Sequence, residues 1–227
     1  MNLTQLYKKL LEHYKPQGWW PINGAYSRKL NLTEEEKFEI CIGAILTQNT
    51  NWSNVEQSLK SLRDNNSLSF DVINDLKEKD LAPLITSAGF FNQKAKTIKT
   101  FTNFLRNYKN ISEMFNDKEI RNQLLSLKGF GKETVDSMLL YAGQLPYFVI
   151  DSYTRRVLAR FGLCDEDIEY TDLQEFIVKN IPKEVYIYQE FHALIVALAK
   201  DVCVKYPDCE SCILNKNCKY GKSILKL

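Results

Sequence analysis

Apolar residues recur three or four positions apart along most of this 227-residue chain, and that spacing places them on one face of an α-helix. Alternation of apolar and polar residues, the pattern of a half-buried strand, is nearly absent, and only residues 147–151 could be extended. The periodicity predicts helices over residues 38–46, 54–64, 95–108, 133–143, 153–162, 171–181 and 188–202. The sequence therefore predicts an all-α fold.

Polar residues that accept hydrogen bonds from backbone amides mark the starts of two of these helices. Thr33 is followed three residues later by Glu36, which is the spacing of a capping box. Thr171 and Gln174 have the same spacing. Both pairs are predicted to begin helices.

The connections between predicted helices are short and no internal repeat is visible, which indicates a division in space rather than along the chain. We predict one domain over residues 30–134 and a second in which residues 1–29 pack on residues 135–227. Apolar residues make up 44% of the chain and charged residues 26%, which is typical of a globular protein with a real core. No apolar run approaches the ~20 residues of a membrane helix, and the N-terminus lacks a signal-peptide pattern. We expect a cytoplasmic monomer without membrane contact.

Charge is unevenly distributed although the net charge is only +2. Residues 33–83 contain ten acids and five bases, whereas residues 84–134 contain nine bases and four acids. A basic segment of this kind binds phosphate backbones through direct contacts and counterion release. Alone, it would more often be a solvated helix face.

Four of the six cysteines lie within 16 residues, with the spacing C-x5-C-x2-C-x5-C. They are Cys203, Cys209, Cys212 and Cys218. Four thiolates so close together can hold one metal centre, either zinc or a [4Fe–4S] cluster, and a reducing compartment disfavours disulfides. A zinc ribbon usually has two C-x2-C pairs and this chain has one, which favours iron–sulfur. Cys41 and Cys164 lie in apolar patterns and are predicted to be buried core thiols.

The segment LLSLKGFGKETVDSML places a tight turn between two helical patterns. Gly129 and Gly131 lack the Cβ atom that would block close approach of a phosphate, and Lys128 and Lys132 flank the turn. A helix that begins there presents unpaired amides and a positive dipole end to the same anion. The turn is a candidate phosphate-binding site.

Several segments together resemble the endonuclease III-like helix-hairpin-helix DNA glycosylase superfamily. They are LKGFGKETVDSMLLYAG, FVIDSYTRRVLARFG with the four cysteines after it, ILTQNT and GFFNQKAK. The first cysteine gap is one residue shorter than is usual in the superfamily. The resemblance implies a two-lobed fold with a six-helix domain, a [4Fe–4S] domain and double-stranded DNA containing a damaged base bound between them. It also implies an alkali-metal ion at the hairpin, whose Gly129, Gly131 and Lys132 would hold phosphate.

The essential aspartate of the superfamily matches Asp151, 20 residues after Gly131. A carboxylate there would stabilise the positive charge that develops on the sugar when an N-glycosidic bond breaks. The alternative reading is a helix N-cap. Bifunctional members have a nucleophilic lysine two residues after the second hairpin glycine, and Glu133 occupies that position, with Lys132 roughly 100° away on the helix. The resemblance thus implies a glycosylase that uses water and does not cleave the strand.

Four further features are similar to the 3-methyladenine DNA glycosylase III subfamily, which holds its base between aromatic side chains. They are the segments WWP and TQNTNW, the Lys-Glu pair at 132–133 and the pattern F-H-x-x-I-V-x-x-x-K that ends at Lys200. They imply a base pocket formed by Trp19, Trp20, Pro21, Trp52, Glu133 and Lys200. A cationic alkylated purine gains stacking and cation–π attraction from such rings. Core packing is the alternative for the tryptophans. The adenine-mismatch branch has a catalytic glutamate where this chain has Gly43, and that branch is disfavoured.

Family members fill the gap left by the extruded nucleotide with side chains from two loops, and the matching residues are Gln48 and Phe90, with Asn92 as a helix cap. We assign no chemistry to His13 or His192. The leading hypothesis is a base excision repair glycosylase for alkylated purines such as 3-methyladenine. The alternatives are a thymine or uracil mismatch glycosylase, an enzyme for oxidised pyrimidines, and a non-catalytic DNA-binding module.

Overall fold

The computed structural model describes residues 1–26, 29 and 31–227, and this part of the chain contains thirteen α-helices. The helices are α1 (Leu3–Tyr14), α2 (Glu34–Leu46), α3 (Trp52–Asp64), α4 (Phe70–Asp75), α5 (Glu78–Leu81), α6 (Phe91–Leu105), α7 (Ile111–Asn116), α8 (Ile120–Ser126), α9 (Lys132–Ser137), α10 (Ser152–Phe161), α11 (Tyr170–Asn180), α12 (Val185–Asp201) and α13 (Lys219–Leu225). A 3₁₀ segment (Ala82–Ala88) precedes α6, and a π-helical segment (Met138–Ala142) follows α9. The described residues form no β-strand and only one isolated bridge, between Ile22 and Ala25. The all-α prediction is confirmed.

Two compact units divide the chain. The hairpin unit is Trp20–Leu145, and the cysteine unit is Met1–Trp19 together with Pro146–Leu227. Leu30, the predicted first residue of the hairpin-bearing domain, lies outside the described residues. None of the described helices combines the length and apolar character that a membrane crossing requires.

Helix α2 forms the centre of the hairpin unit, because its nine residues from Phe38 to Leu46 are all buried. The predicted capping box is confirmed: Thr33 accepts a hydrogen bond from the amide of Glu36, whose side chain returns to the backbone of Thr33. Cys41 in this helix is fully buried, as predicted, and burial raises the pKa of its thiol well above the usual value.

Helices α8 and α9 are joined by the glycine turn and held together by a buried ion pair. Arg121 of α8 donates from Nε to Asp136 Oδ1 at 2.7 Å and from Nη2 to Asp136 Oδ2 at 3.0 Å. The Asp136 side chain is fully buried. A two-pronged contact of this kind fixes the angle between the two helices as well as their distance.

Two predicted helix starts and one predicted α-helical continuation were wrong. Helix α6 begins at Phe91 with Phe90 at the cap position, so Asn92 lies inside its first turn. Helix α11 begins at Tyr170, so Thr171 lies inside it, and Gln174 donates to the carbonyl oxygen of Phe148 at 2.6 Å. The helix predicted over residues 133–143 changes to π geometry at Met138.

The cysteine unit contains α1 and α10–α13, and α12 contacts both α1 and α10. Helix α1, which was not predicted, is capped by Asn2 and buries Leu3, Leu6 and Leu10. Cys164 is only half-buried, contrary to the prediction, because it follows the end of α10. Residues 147–150 form neither helix nor strand. This irregular segment leads directly to Asp151.

Candidate functional site

Asp151 lies at the first turn of α10 and has one oxygen engaged by the backbone. Its Oδ1 accepts a hydrogen bond from the amide of Thr154 at 2.6 Å, so the residue is the N-cap of the helix. The helix dipole places positive potential at this end, which favours a carboxylate there. Asp151 is therefore a helix N-cap, which was the alternative to a catalytic role in the sequence analysis. Its Oδ2 is left available for other interactions.

His192 of α12 lies beside that second oxygen, with Nε2 at 3.4 Å from Asp151 Oδ2. The side chains of both residues are largely buried, at 14% and 12% exposure. Burial raises the pKa of the Asp151 carboxyl, but the interaction with His192 and the hydrogen bond from Thr154 outweigh it and leave the pKa below its usual value. Asp151 is thus a buried carboxylate that stays ionised at neutral pH.

The glycine turn presents its polar groups outward and its aromatic residue inward. Lys128, Gly129, Gly131 and Lys132 are exposed, whereas Phe130 is buried with its ring centroid 6.3 Å from that of Phe101. Within the described part of the chain, no acceptor is recorded for the amides of Gly129 and Gly131. An anion can therefore approach these backbone groups.

The two hairpin glycines have different requirements. Gly129 has φ of +94°, and a Cβ atom there would lie 2.6 Å from Thr97 Oγ1. Gly131 has φ of −98°, and a Cβ atom there would meet nothing within 4 Å. Steric contacts and backbone conformation therefore demand glycine at the first position, whereas at the second position, the N-cap of α9, a side chain would meet no protein atom.

Gln48 and Phe90, the predicted DNA-inserting residues, lie in two loops of the hairpin unit. Gln48 Nε2 donates to the carbonyl oxygen of Gly129 and to Thr134 Oγ1, both at 3.0 Å. Phe90 is 71% exposed and has φ of +45°, a conformation that is uncommon for a bulky residue. The structure thus connects one loop to the hairpin and presents an aromatic ring to solvent from the other.

Four of the predicted pocket residues, Trp20, Pro21, Trp52 and Glu133, belong to the hairpin unit. Trp20 is 8% exposed and forms edge-to-face contacts with Trp52 (5.1 Å between ring centroids) and with Tyr141 (5.3 Å). A Cβ atom at Gly43 would lie 3.0 Å from the Trp20 indole. The missing side chain at position 43 is therefore what admits this ring to the interior.

A cavity of about 450 Å³ borders the outer side of this aromatic group. Pro21 and Trp52 line it together with Glu39 and Arg63, which form an ion pair at 2.9 Å. Glu133 is exposed on α9 and is not among the lining residues. The cavity thus differs in composition from the predicted base pocket.

Trp19 and Lys200 belong to the cysteine unit. The backbone before Trp19 is held by Glu190, a carboxylate that is 2% exposed and accepts from the amides of Gln17 (2.8 Å) and Gly18 (3.0 Å). The Lys200 ammonium lies 5.8 Å from the centre of the Tyr153 ring. Both residues are therefore placed by α12, the helix that also contains His192.

The four clustered cysteines influence one another electrostatically. Burial raises the pKa of Cys212, and the charges of Cys203, Cys218 and Cys209 raise it further. Burial, Cys218 and Cys203 likewise raise the pKa of Cys209. Among the described residues, no group of three or more Cys, His, Asp or Glu side chains has metal-binding geometry. The structure brings the thiols near each other without forming a preset coordination sphere.

Two arginines of α10 hold the backbone of the cysteine segment. Arg156 donates to the carbonyl oxygens of Cys203 (3.0 Å) and Ala199 (3.1 Å). Arg160 donates to the carbonyl oxygen of Val204 at 2.6 Å, and its Nη1 lies 3.5 Å from Cys203 Sγ. The Arg160 charge also opposes the rise in the pKa of Cys209, which favours the thiolate form that binds metal.

Residues 42–183, more than half of the chain, match the family model described as HhH-GPD superfamily base excision DNA repair protein. The chain belongs to this superfamily. It is thus a base excision repair protein that acts on DNA, and the predicted resemblance at the level of the superfamily is confirmed.

Individual relatives agree with this assignment. A Methanocaldococcus jannaschii protein named as a candidate DNA repair glycosylase is 42% identical over 221 residues, which cover 95% of each chain. The structure of a Helicobacter pylori 3-methyladenine DNA glycosylase bound to 1,N6-ethenoadenine has a TM-score of 0.73 at 28% identity, covering 88% of this chain and 98% of the other. An endonuclease III trapped as a covalent intermediate with DNA has a TM-score of 0.78 over 99% of both chains, and at 20% identity it shows the fold alone.

Two side chains of this HhH-GPD protein near predicted site residues were not predicted from sequence. His192 contacts Asp151 although 40 residues separate them, and the sequence offered only an apolar helical context for it. Glu190 lies two residues earlier in the same helix, and an acid among apolar residues was the available signal.

Proposed function

We propose that this protein is a monofunctional DNA glycosylase that hydrolyses the N-glycosidic bond of alkylated purines such as 3-methyladenine. The observation that supports hydrolysis most directly is the Asp151 carboxylate, which is buried and kept ionised by Thr154 and His192. A preorganised negative charge of this kind stabilises developing positive charge far better than a solvated one.

In this proposal the bond between the anomeric carbon and the base nitrogen breaks, and its electron pair leaves with the base. The alkylated base is positively charged, so it departs as a neutral molecule without needing an acid. Asp151 stabilises the cationic sugar and accepts a proton from the water that attacks it, which yields an abasic site and a free base. Position 133 has a carboxylate rather than an amine, so the residue there cannot form an imine with the sugar.

The lesion class is proposed from the aromatic group of the hairpin unit. Trp52 makes an edge-to-face contact with Trp20, and this leaves indole surface suited to stacking on a cationic purine. The Trp20 indole occupies the space next to Gly43, where the adenine-mismatch branch would need a glutamate. The Helicobacter pylori relative at 28% identity is a 3-methyladenine glycosylase bound to an ethenoadenine, which supports the same class.

We also propose that Cys203, Cys209, Cys212 and Cys218 hold a [4Fe–4S] cluster. Burial and the neighbouring cysteines raise the pKa values of Cys209 and Cys212, which fits a cationic metal centre, because bound metal would favour the thiolates that burial disfavours. Such a cluster supplies structural stabilisation, and in some proteins electron transfer, when it is bound. Iron and sulfide analysis of the purified protein, beside zinc analysis, tests the assignment; zinc without sulfide would contradict it.

The function is tested with duplexes that each contain one defined lesion: an alkylated purine, a G·T mismatch, uracil or an oxidised pyrimidine. We expect free base from the alkylated duplex alone, and no imine trapped by borohydride. Asp151→Asn should abolish release and leave the fold intact, since asparagine caps helices as well as aspartate does. Trp52→Ala should lower release of the alkylated base while duplex binding persists. Release of the mismatched thymine or oxidised pyrimidine, or a trapped imine, would refute the proposal.

A further inference from the structure

Lys94 in α6 is a buried lysine whose ammonium interacts with backbone carbonyls only. The residue is 2% exposed, and Nζ donates to the carbonyl oxygens of Leu46 (2.8 Å) and Ala88 (2.7 Å). No carboxylate of the described chain lies within ion-pair distance of it. Burying a charge without a counter-ion is costly, so a lysine here requires a reason.

The two carbonyl groups belong to the last residues of two helical segments. Leu46 ends α2, and Ala88 ends the 3₁₀ segment. Both are termini whose carbonyl groups lack partners within the helix, and both present the negative end of a helix dipole. One ammonium therefore satisfies two helix ends and holds them within the span of a single amino group.

Each of these helix ends leads directly into a predicted DNA-inserting loop. Gln48 follows Leu46 by two residues and donates to the carbonyl oxygen of Gly129 in the hairpin. Phe90 follows Ala88 by two residues, and its carbonyl oxygen accepts from the backbone amide of Lys94 at 2.9 Å. The Lys94 ammonium thus contacts the carbonyl of Ala88, at the start of the Phe90 turn, and connects it, through the end of α2, to the loop that braces the hairpin.

The Phe90 turn needs such support. Gly89 and Phe90 both have positive φ, +67° and +45°, and this backbone conformation is strained for a phenylalanine. Strained residues persist only where their surroundings fix them. Burial lowers the pKa of Lys94 to about 8, so the ammonium is still charged and donates to both carbonyls at neutral pH.

We propose that Lys94 is a positioning residue that fixes the Phe90 turn relative to the Gln48 loop, so that both loops engage the duplex at the damaged nucleotide. This inference rests on the proposed function only in that the two loops act on DNA. It does not depend on which lesion is removed.

Lys99, in the same helix, provides a matched control. Its ammonium also donates to two carbonyl oxygens near a helix end, those of Ile73 (3.0 Å) and Asn74 in α4, although Lys99 is only partly buried. Helix α4 leads into neither DNA-inserting loop. Lys94→Met and Lys99→Met each remove one positive charge and one pair of carbonyl contacts, so general electrostatic and stability effects are shared.

The experiment compares wild type, Lys94→Met, Lys99→Met and Lys94→Arg. Each is measured for unfolding in urea, for affinity to a duplex with a stable abasic-site analogue, and for fluorescence of a 2-aminopurine placed beside that site. We expect both methionine variants to lose stability, but only Lys94→Met to lose affinity, on the order of tenfold or more, with a smaller fluorescence change on binding. Lys94→Arg should keep most of the wild-type duplex affinity and most of the wild-type fluorescence change. If Lys94→Met does not fold, Lys94→Gln, which can donate to one carbonyl, replaces it.

Equal loss of affinity and fluorescence change in the two methionine variants would overturn the proposal, and so would wild-type behaviour of Lys94→Met. None of these measurements requires base release. If the wild-type protein engages the abasic duplex but releases no alkylated base, the lesion assignment fails while the role of Lys94 is still decided.

Discussion

The two hairpin glycines offer a sharp test of the site, because the structure predicts opposite results for the same substitution at each. Gly129→Ala places a methyl group 2.6 Å from Thr97 Oγ1 and keeps a non-glycine residue at φ of +94°. The left-handed conformation alone costs about 1–2 kcal/mol. With the added steric contact, we expect the free energy of unfolding to fall by about 2 kcal/mol or more.

Gly131→Ala should behave differently. Its φ of −98° suits alanine, and the new methyl group would meet no atom within 4 Å. Glycine is a good N-cap residue, so replacing it costs some stability. Alanine also lowers the conformational entropy of the unfolded chain, which opposes that cost, so stability should stay within about 1 kcal/mol of wild type. The same methyl group stands where a phosphate would approach the backbone. Loss of one charge-assisted hydrogen bond, about 1.5–3 kcal/mol, predicts about tenfold to a hundredfold weaker duplex binding.

Urea unfolding and fluorescence anisotropy with a labelled abasic-analogue duplex measure the two quantities on the same samples. The result that refutes the reasoning is a Gly131→Ala protein that binds DNA as wild type does. A Gly129→Ala protein of undiminished stability would contradict the geometry of the turn itself.

Three further perturbations have definite expected outcomes. His192→Asn removes the larger of the two interactions that lower the pKa of Asp151 and leaves the burial that raises it, so the acid limb of a pH profile of single-turnover base release should move to higher pH; an unmoved limb would exclude this role. Arg121→Met removes the arginine that pairs with the buried Asp136 carboxylate and should lower stability by about 3–5 kcal/mol in urea, whereas also changing Asp136 to methionine should recover much of the loss. Cys212→Ser should lower bound iron and the melting temperature together, and full iron content in that variant would remove Cys212 from the ligand set.

Hydrophobic periodicity predicted the long helices well, because each buries a continuous apolar face. It missed α4, α5, α7 and α13, which have four to seven residues and are too short to show a period, and it also missed the twelve-residue α1. The π segment at Met138 was also invisible, since Gly143 and Leu145 donate to the carbonyls of Met138 and Leu139 (2.9 Å each) without changing which residues are apolar.

The candidate site was predictable where its residues are close in sequence and unpredictable where they meet by folding. The hairpin turn and the cysteine spacing are local patterns, and each could be recognised from a short segment. The approach of His192 to Asp151 depends on the packing of α12 against α10, which no local pattern specifies. Lys94 belongs to a basic segment, yet its ammonium faces the interior rather than DNA. Net charge along a chain does not indicate the direction of a side chain.

Helix α10 has a consequence for how this protein would respond to oxidative damage. The helix begins at the Asp151 cap and, about 15 Å later, holds the cysteine segment through Arg160. If Asp151 is the catalytic carboxylate, as proposed, displacement of the cysteine segment would be transmitted along α10 and would misalign that carboxylate. Oxidants that modify the cysteine thiols should therefore lower the activity without any chemical change at Asp151.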